Sequence, residues 1–307
     1  MTLQTVRTAL GGISGVHAVP YDAAGEVAPR VLATIVRGIA EAGVHNIVSA
    51  GNTGEFFSLT EAEILHVHAI TIEAVAGRAL VTAAVGRSLA EARATGRAAK
   101  AAGADAIMVH YPNDPFAAPQ SQADYFIDLA KSVDLPMVAY VRSDRLGVDN
   151  LVRVATHPNV AGVKFANTNV MQLSDCVRAT KDTAAVWVCG LAESWAAPFY
   201  ALGARGFTSG LVNIEPARSL AIWRALEAGD MALTRRLVAE IAGFEELRTH
   251  FGNGANVTVV KEAMALRGLP MGPARLPNLP KLNAADAATL AQVLQSWQSR
   301  GERLAAE

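Results

Sequence analysis

The chain has 307 residues, 27 basic and 28 acidic side chains, a formal net charge of −1 and a hydrophobic fraction of 51%. That length suits an α/β barrel with an appendage, and the composition is that of a globular chain with a large core. The balanced charge, without a basic arm, argues against a nucleic-acid partner, and no apolar run approaches the roughly 18 residues that a membrane span needs.

In chain order, short apolar runs alternate with longer amphipathic stretches. Strands are predicted at 16–20, 46–51, 79–85, 106–110, 136–141, 160–166, 184–190 and 206–210. Helices are predicted between them, at 29–42, 60–76, 89–102, 121–133 and 216–228 among others. Pro29 suits a first helical position, Thr60 with Glu63 spells a capping box, and Gly43, Gly103 and Gly203 stand where a helix ends before the next strand. Eight strand-then-helix units imply a parallel sheet closed into a (β/α)8 TIM barrel over residues 1–229.

Beyond the eighth unit the alternation stops. Residues 231–249, 257–267 and 283–298 read as helices without intervening strands, joined by a Gly/Pro-rich passage at 268–280. Residues 230–307 are therefore expected to form a small C-terminal helical domain. A doubly wound sheet is the alternative, but its first strand would lead into a Gly-rich nucleotide turn, and Tyr21, Asp22 and Ala23 stand there instead. Cys176 and Cys189 have neither zinc-ligand spacing nor the density of a disulfide scaffold, and the first twenty residues lack a long apolar signal core, so the cytoplasm is the expected location.

Lys164 interrupts the apolar run 160–166, which otherwise reads as a buried parallel strand. A buried ammonium loses hydration, its pKa falls, and the neutral amine can add to a carbonyl to form a Schiff base. The competing reading is a strand-end lysine that lays its methylenes on apolar surface and its charge in water. In a barrel, chemistry gathers at the C-terminal strand ends. There the second strand leads into Gly51-Asn52-Thr53-Gly54-Glu55, a nest suited to a carboxylate or, equally, a polar turn before a capped helix. The fourth strand delivers His110 and Tyr111. The fifth ends at Tyr140, a phenol able to move protons, followed by Arg142 and Arg145, and the seventh ends at Gly190, with Glu193 close behind.

These features resemble the dihydrodipicolinate synthase / N-acetylneuraminate lyase superfamily over essentially the whole chain. The segments that carry the resemblance are the 51–55 loop, Tyr140 on the fifth strand and Gly162-Val163-Lys164 on the sixth, supported by residues 202–206, Ser209, Asn213 and Pro216. The resemblance implies a class I lyase needing neither metal nor organic cofactor. Lys164 would form the imine with a 2-oxo acid, Tyr140 would relay protons, and Thr53, with Asn52 and Gly54, would hold the substrate's carboxylate. Tyr111, Arg142, Arg145, Gly190, Glu193 and Ser209 are carried over as further substrate-binding positions. A homotetramer is implied on the same ground, with a small-molecule 2-oxo acid as the partner.

Departures from the family pattern narrow the subfamily. Dihydrodipicolinate synthases carry two adjacent tyrosines after the fourth strand, whereas this chain has Tyr111-Pro112, which breaks that relay. The run Gly54-Glu55-Phe56-Phe57-Ser58-Leu59-Thr60 instead looks like 5-dehydro-4-deoxyglucarate dehydratases, although those follow the lysine with Asp-Gly and this chain has Phe165-Ala166. The expected activity is therefore dehydration, decarboxylating or not, of a 2-keto-3-deoxy sugar acid such as 5-dehydro-4-deoxyglucarate. Aldol cleavage to pyruvate and an aldehyde, synthase-like condensation and non-catalytic 2-oxo-acid binding are the alternatives.

Overall fold

The computed structural model describes residues 2–112 and 114–306. Eight parallel strands pair in chain order, and the last pairs with the first. They are β1 (Ile13–Val16), β2 (Asn46–Ser49), β3 (Leu80–Val85), β4 (Ala106–Val109), β5 (Met137–Val141), β6 (Val160–Phe165), β7 (Val186–Cys189) and β8 (Phe207–Ser209). Around and beyond them lie α1 (Leu3–Leu10), α2 (Pro29–Glu41), α3 (Glu61–Val75), α4 (Leu89–Ala102), α5 (Pro119–Ser132), α6 (Gly147–Ala155), α7 (Val170–Ala179), α8 (Glu193–Ala201), α9 (Pro216–Glu227), α10 (Met231–Asn253), α11 (Asn256–Leu266) and α12 (Ala284–Ala306). The fold is the expected (β/α)8 barrel.

Local signals act where they are read. Thr60 accepts from the Glu63 backbone N–H while Glu63 Oε2 accepts from Thr60 N–H at 2.8 Å, a reciprocal cap that starts α3 behind the second strand. Gly103 ends α4 at a φ of 102°, in the left-handed region that side chains avoid.

The first strand corrects the sequence expectation. It pairs over Ile13–Val16 rather than 16–20: Ser14 faces Asn46 on one side and Thr208 on the other. The apolar run that suggested a strand is buried for another reason. Ala18 N–H donates to Asn213 Oδ1 at 2.9 Å and Tyr21 N–H to Met271 O at 2.9 Å, so the segment passes beneath the C-terminal chain instead of extending the sheet. Helix α1 has no counterpart among the predicted elements. Its Leu10 plugs the N-terminal end of the barrel, and Arg7 Nη2 bonds to Val160 O at 3.1 Å on β6.

Inside the barrel, alternate residues point inward. Asn46 bridges Ser14 and Thr82 at 3.0 and 2.8 Å, Met108, Val138 and Val188 fill the space, and the residual void is about 10 Å³. The interior is thus a packed floor on which Lys164 stands.

The C-terminal helices complete the open end. Helix α10 packs on α8, α9 and α11, and α11 packs on the turn Asn52–Gly54. Helix α10 is broken near its end, where His250, Phe251 and Gly252 leave helical geometry. That break turns the chain into α11 beside the barrel mouth.

Candidate active site

The open end encloses a cavity of about 580 Å³, lined by the ends of β2, β5, β6, β7 and β8 and by α10 and α11. Lys164 and Tyr140 occupy paired positions on neighbouring strands, which places both side chains on the same inward face. Lys164 Nζ sits 4.0 Å from the centroid of the Tyr140 ring, and the lysine is only 5% exposed. The amine therefore lies inside the cavity and does not snorkel to solvent. Burial first, and the Arg142 charge second, lower its pKa to about 7, so a substantial neutral fraction exists near neutrality. Burial raises the Tyr140 phenol, which stays protonated.

Asn52 Nδ2 donates to Tyr140 Oη at 3.0 Å. Thr53 lines the cavity beside it, and Arg142, Gly190 and Ser209 also reach the lining. Gly190 is required by close packing, because a Cβ there would lie 2.5 Å from Ala166 Cβ. Backbone strain gathers here too: Ala50, Glu55 and Ala192 hold φ values of 53°, 60° and 65° around the strand ends. Arg142 has no ion-pair or hydrogen-bond partner among the described residues, yet its positive charge reaches both Lys164 and His110.

Four residues expected at the site stand outside the lining. Gly54 packs against the His17 backbone behind the loop, and a Cβ there would meet His17 O at 3.0 Å. The Tyr111 hydroxyl turns away to Gln122 Oε1 at 2.6 Å. Arg145 is exposed on the turn after β5. Glu193 is fully buried behind β8, where its Oε1 accepts from Ser209 and Ser219 at 2.5 and 2.6 Å. Burial, reinforced by the charge of Glu245, raises Glu193 to about 7. It therefore braces Ser209 from outside the cavity.

His110, read at the end of the fourth strand, is stacked on Phe56 at 4.0 Å, and burial with the Lys164 charge holds it neutral, its pKa well below the usual imidazole value. Other residues around the site carry no local sequence signal. Behind the 51–55 loop, His17, Thr71, Ser49 and His68 form a buried chain of hydrogen bonds with contacts of 3.0, 3.2 and 2.8 Å. Arg248 on α10 lines the cavity, held by Glu245 at 2.5 Å and by Asn256 at 3.1 Å. Nothing in the helical periodicity of 231–249 marks Arg248 as a cavity residue. Phe56 and Phe57, read in the sequence only as part of the 54–60 resemblance, also line the cavity.

A barrel with a desolvated lysine and a phenol at its C-terminal end belongs to the class of Schiff-base lyases. The chain matches the model of the dihydrodipicolinate synthetase family over residues 9–296 and belongs to that family. It is 35% identical over 260 residues to a 4-hydroxy-tetrahydrodipicolinate synthase of Methanosphaerula palustris, covering 83% of this chain and 87% of that one. It is 34% identical over 259 residues to a probable 5-dehydro-4-deoxyglucarate dehydratase of Streptomyces avermitilis, covering 83% and 77%. Among solved structures, dihydrodipicolinate synthase from Bacillus clausii superposes with a TM-score of 0.93 at 35% identity, over 95% of this chain and 99% of that one. The protein is an enzyme, a class I lyase of that family.

Proposed function

We propose that the enzyme dehydrates a 2-keto-3-deoxy sugar acid bearing a second carboxylate, with 5-dehydro-4-deoxyglucarate as the type substrate, through an imine on Lys164. The observation that carries the Schiff-base chemistry is the buried Lys164 amine 4.0 Å from the Tyr140 ring on the cavity floor. Thr53 and its loop receive the carboxylate next to the ketone. Arg142, free of any partner among the described residues, receives the distal one. Arg145 is the weaker choice for that role, because Arg142 lines the cavity and Arg145 does not.

The chemistry then runs in balance. The neutral amine adds to the ketone, and loss of water gives a protonated imine. Loss of a proton from the adjacent carbon to solvent water gives an enamine, whose electrons expel the hydroxyl one carbon further on as water; Tyr140 gives its phenolic proton to the leaving oxygen and regains one from solvent. Hydrolysis of the imine restores the amine. Desolvation supplies the neutral amine by lowering its pKa and keeps the phenol protonated until the hydroxyl leaves.

Dehydration is preferred to condensation because Tyr111, followed by Pro112, points to Gln122, which leaves Tyr140 as the tyrosine of the cavity lining among the described residues. Condensation of pyruvate with an aldehyde is the second reading, supported by the 35% identity to a synthase. Borohydride reduction in the presence of pyruvate or a 2-keto-3-deoxy sugar acid is expected to leave an adduct on Lys164 and none on a Lys164→Ala variant. An adduct mapped to Lys261 or Lys281 overturns the assignment. Side-by-side kcat/KM values for 5-dehydro-4-deoxyglucarate and for pyruvate with aspartate semialdehyde, with CO2 release monitored, separate the two readings.

A further inference from the structure

Arg248 reaches the cavity from outside the barrel. It stands on α10, is only 7% exposed, and lines the cavity together with Glu245, Glu246 and Asn256. Two of its three nitrogens are spent on the protein: Nη1 donates to Glu245 Oε1 at 2.5 Å and Nε to Asn256 Oδ1 at 3.1 Å. Nη2 has no hydrogen-bond partner among the described residues. It lies over Gly210, just beyond β8, where an added Cβ would stand 2.8 Å from Nη2 and 3.2 Å from Cζ. Gly210 has an ordinary backbone conformation, with a φ of −94°, so what its missing Cβ provides is room for the guanidinium. Gly210 also lines the cavity. An unspent donor on a buried arginine, braced on two sides and seated in a cavity wall, marks the place of an acceptor that the ligand brings.

The surrounding charge decides which acceptor fits. Arg142 has no ion-pair partner among the described residues and is open to an anion. Arg248 differs, because its charge is already compensated by Glu245, itself 8% exposed, and Glu246 adds a second carboxylate to the same wall. A ligand carboxylate at Nη2 would stand beside two acidic side chains with no free counter-charge, and like charges at such range oppose binding. A neutral oxygen, of a hydroxyl or a carbonyl, meets no such repulsion.

We propose that Arg248 is a specificity-determining residue: through Nη2 it donates to a neutral oxygen on the part of the substrate beyond the imine, while Glu245 bars a further anion from that place. The cavity then has one receptor for distal negative charge, beyond β5, and a separate one for a neutral oxygen, on the C-terminal helix α10. This proposal rests on the Lys164 imine and assigns a role to the α10 wall of the same site.

The test reads the concentration of acid that half-saturates borohydride trapping on Lys164 in the full-length enzyme. It compares pyruvate, which ends at the methyl beside its ketone, with 5-dehydro-4-deoxyglucarate, which extends beyond it. The preference for the longer acid is the ratio of the two concentrations. In Arg248→Met this preference is expected to fall by about tenfold, the usual consequence of removing a charged donor from a buried acceptor. Gly210→Ala displaces the guanidinium without deleting it, so it should lower the preference too and covers the case in which the methionine variant does not fold. Glu245→Gln uncovers the arginine's charge and is expected to raise the preference, because the longer acid carries two carboxylates and pyruvate one. A preference unchanged in Arg248→Met and Gly210→Ala, whatever the absolute losses, overturns the donor role and reduces Arg248 to a brace between α10 and α11. A preference that does not rise in Glu245→Gln overturns the part assigned to Glu245. Absence of any trapping on Lys164 in the wild type instead overturns the Schiff-base assignment, so the failures are distinct.

Discussion

Lys164 is costly to the fold that displays it. Its folded pKa of about 7 lies below the ordinary 10.5, so between those values the unfolded chain binds the extra proton. Stability contributed by this residue therefore rises with pH across that window, by on the order of 1 kcal/mol per pH unit, and is lowest below pH 7, where the buried group is an ammonium in both states. Lys164→Met should accordingly melt higher than the wild type at pH 6, with the gap closing as pH approaches 10. Thermal melts across that range check it, and a gap that widens with pH would contradict the lowered pKa. The same titration moves chemistry in the same direction as stability: imine formation needs the neutral amine, so its rate should climb with pH to a plateau above about pH 7.

The 51–55 loop is held from the far end of the chain. Lys261 on α11 pairs with Glu55 at 2.9 Å, with the two side chains 2% and 0% exposed, and the Arg275 backbone N–H takes the other Glu55 oxygen at 2.8 Å. Lys261 also lies 4.0 Å over the Tyr21 ring. Lys261→Met strands a buried carboxylate, and the expected loss is about 3–5 kcal/mol by urea denaturation. Pairing it with Glu55→Gln should recover much of that loss, because the uncompensated charge is gone. A double variant no more stable than the single one would show that the pair's packing, not its charge, matters.

This tether explains what was and was not readable in the residues. Lys164, Tyr140 and the 51–55 loop announce themselves, because a charge or a phenol at an apolar strand end and a glycine-flanked turn break a local pattern. Capping at Thr60 and the eight-fold alternation are equally local. By contrast, the pairing of Glu55 with Lys261, the entry of Arg248 into the cavity wall and the retreat of Glu193 behind β8 depend on contacts between segments distant in sequence. Periodicity records only that those helices have a buried face. The misplaced first strand has the same origin: residues 17–20 are buried because other segments cover them, and burial alone does not distinguish a strand from a covered loop.

Barrel and C-terminal helices share one core. Ile241, Phe244 and Leu247 of α10 and Val259, Val260 and Met264 of α11 are all nearly or fully buried and belong to the same apolar cluster as the barrel strands. Melting is therefore expected to be a single cooperative transition, with calorimetric and van't Hoff enthalpies in agreement. Two resolved transitions would show that α10–α12 unfold on their own. A chain ending before α10 should lose the fold, since it exposes that shared surface and removes Lys261 from Glu55 together with one wall of the cavity.

The plug formed by α1 closes one end of the barrel. With Leu10 closing the narrow end and a void of only about 10 Å³ beneath Lys164, traffic through the barrel axis is impossible. Among the described residues the cavity meets solvent at the rim between Phe57 and the broken end of α10. Substrate and product share that rim, so product is expected to compete with substrate, and product inhibition measured at steady state checks it.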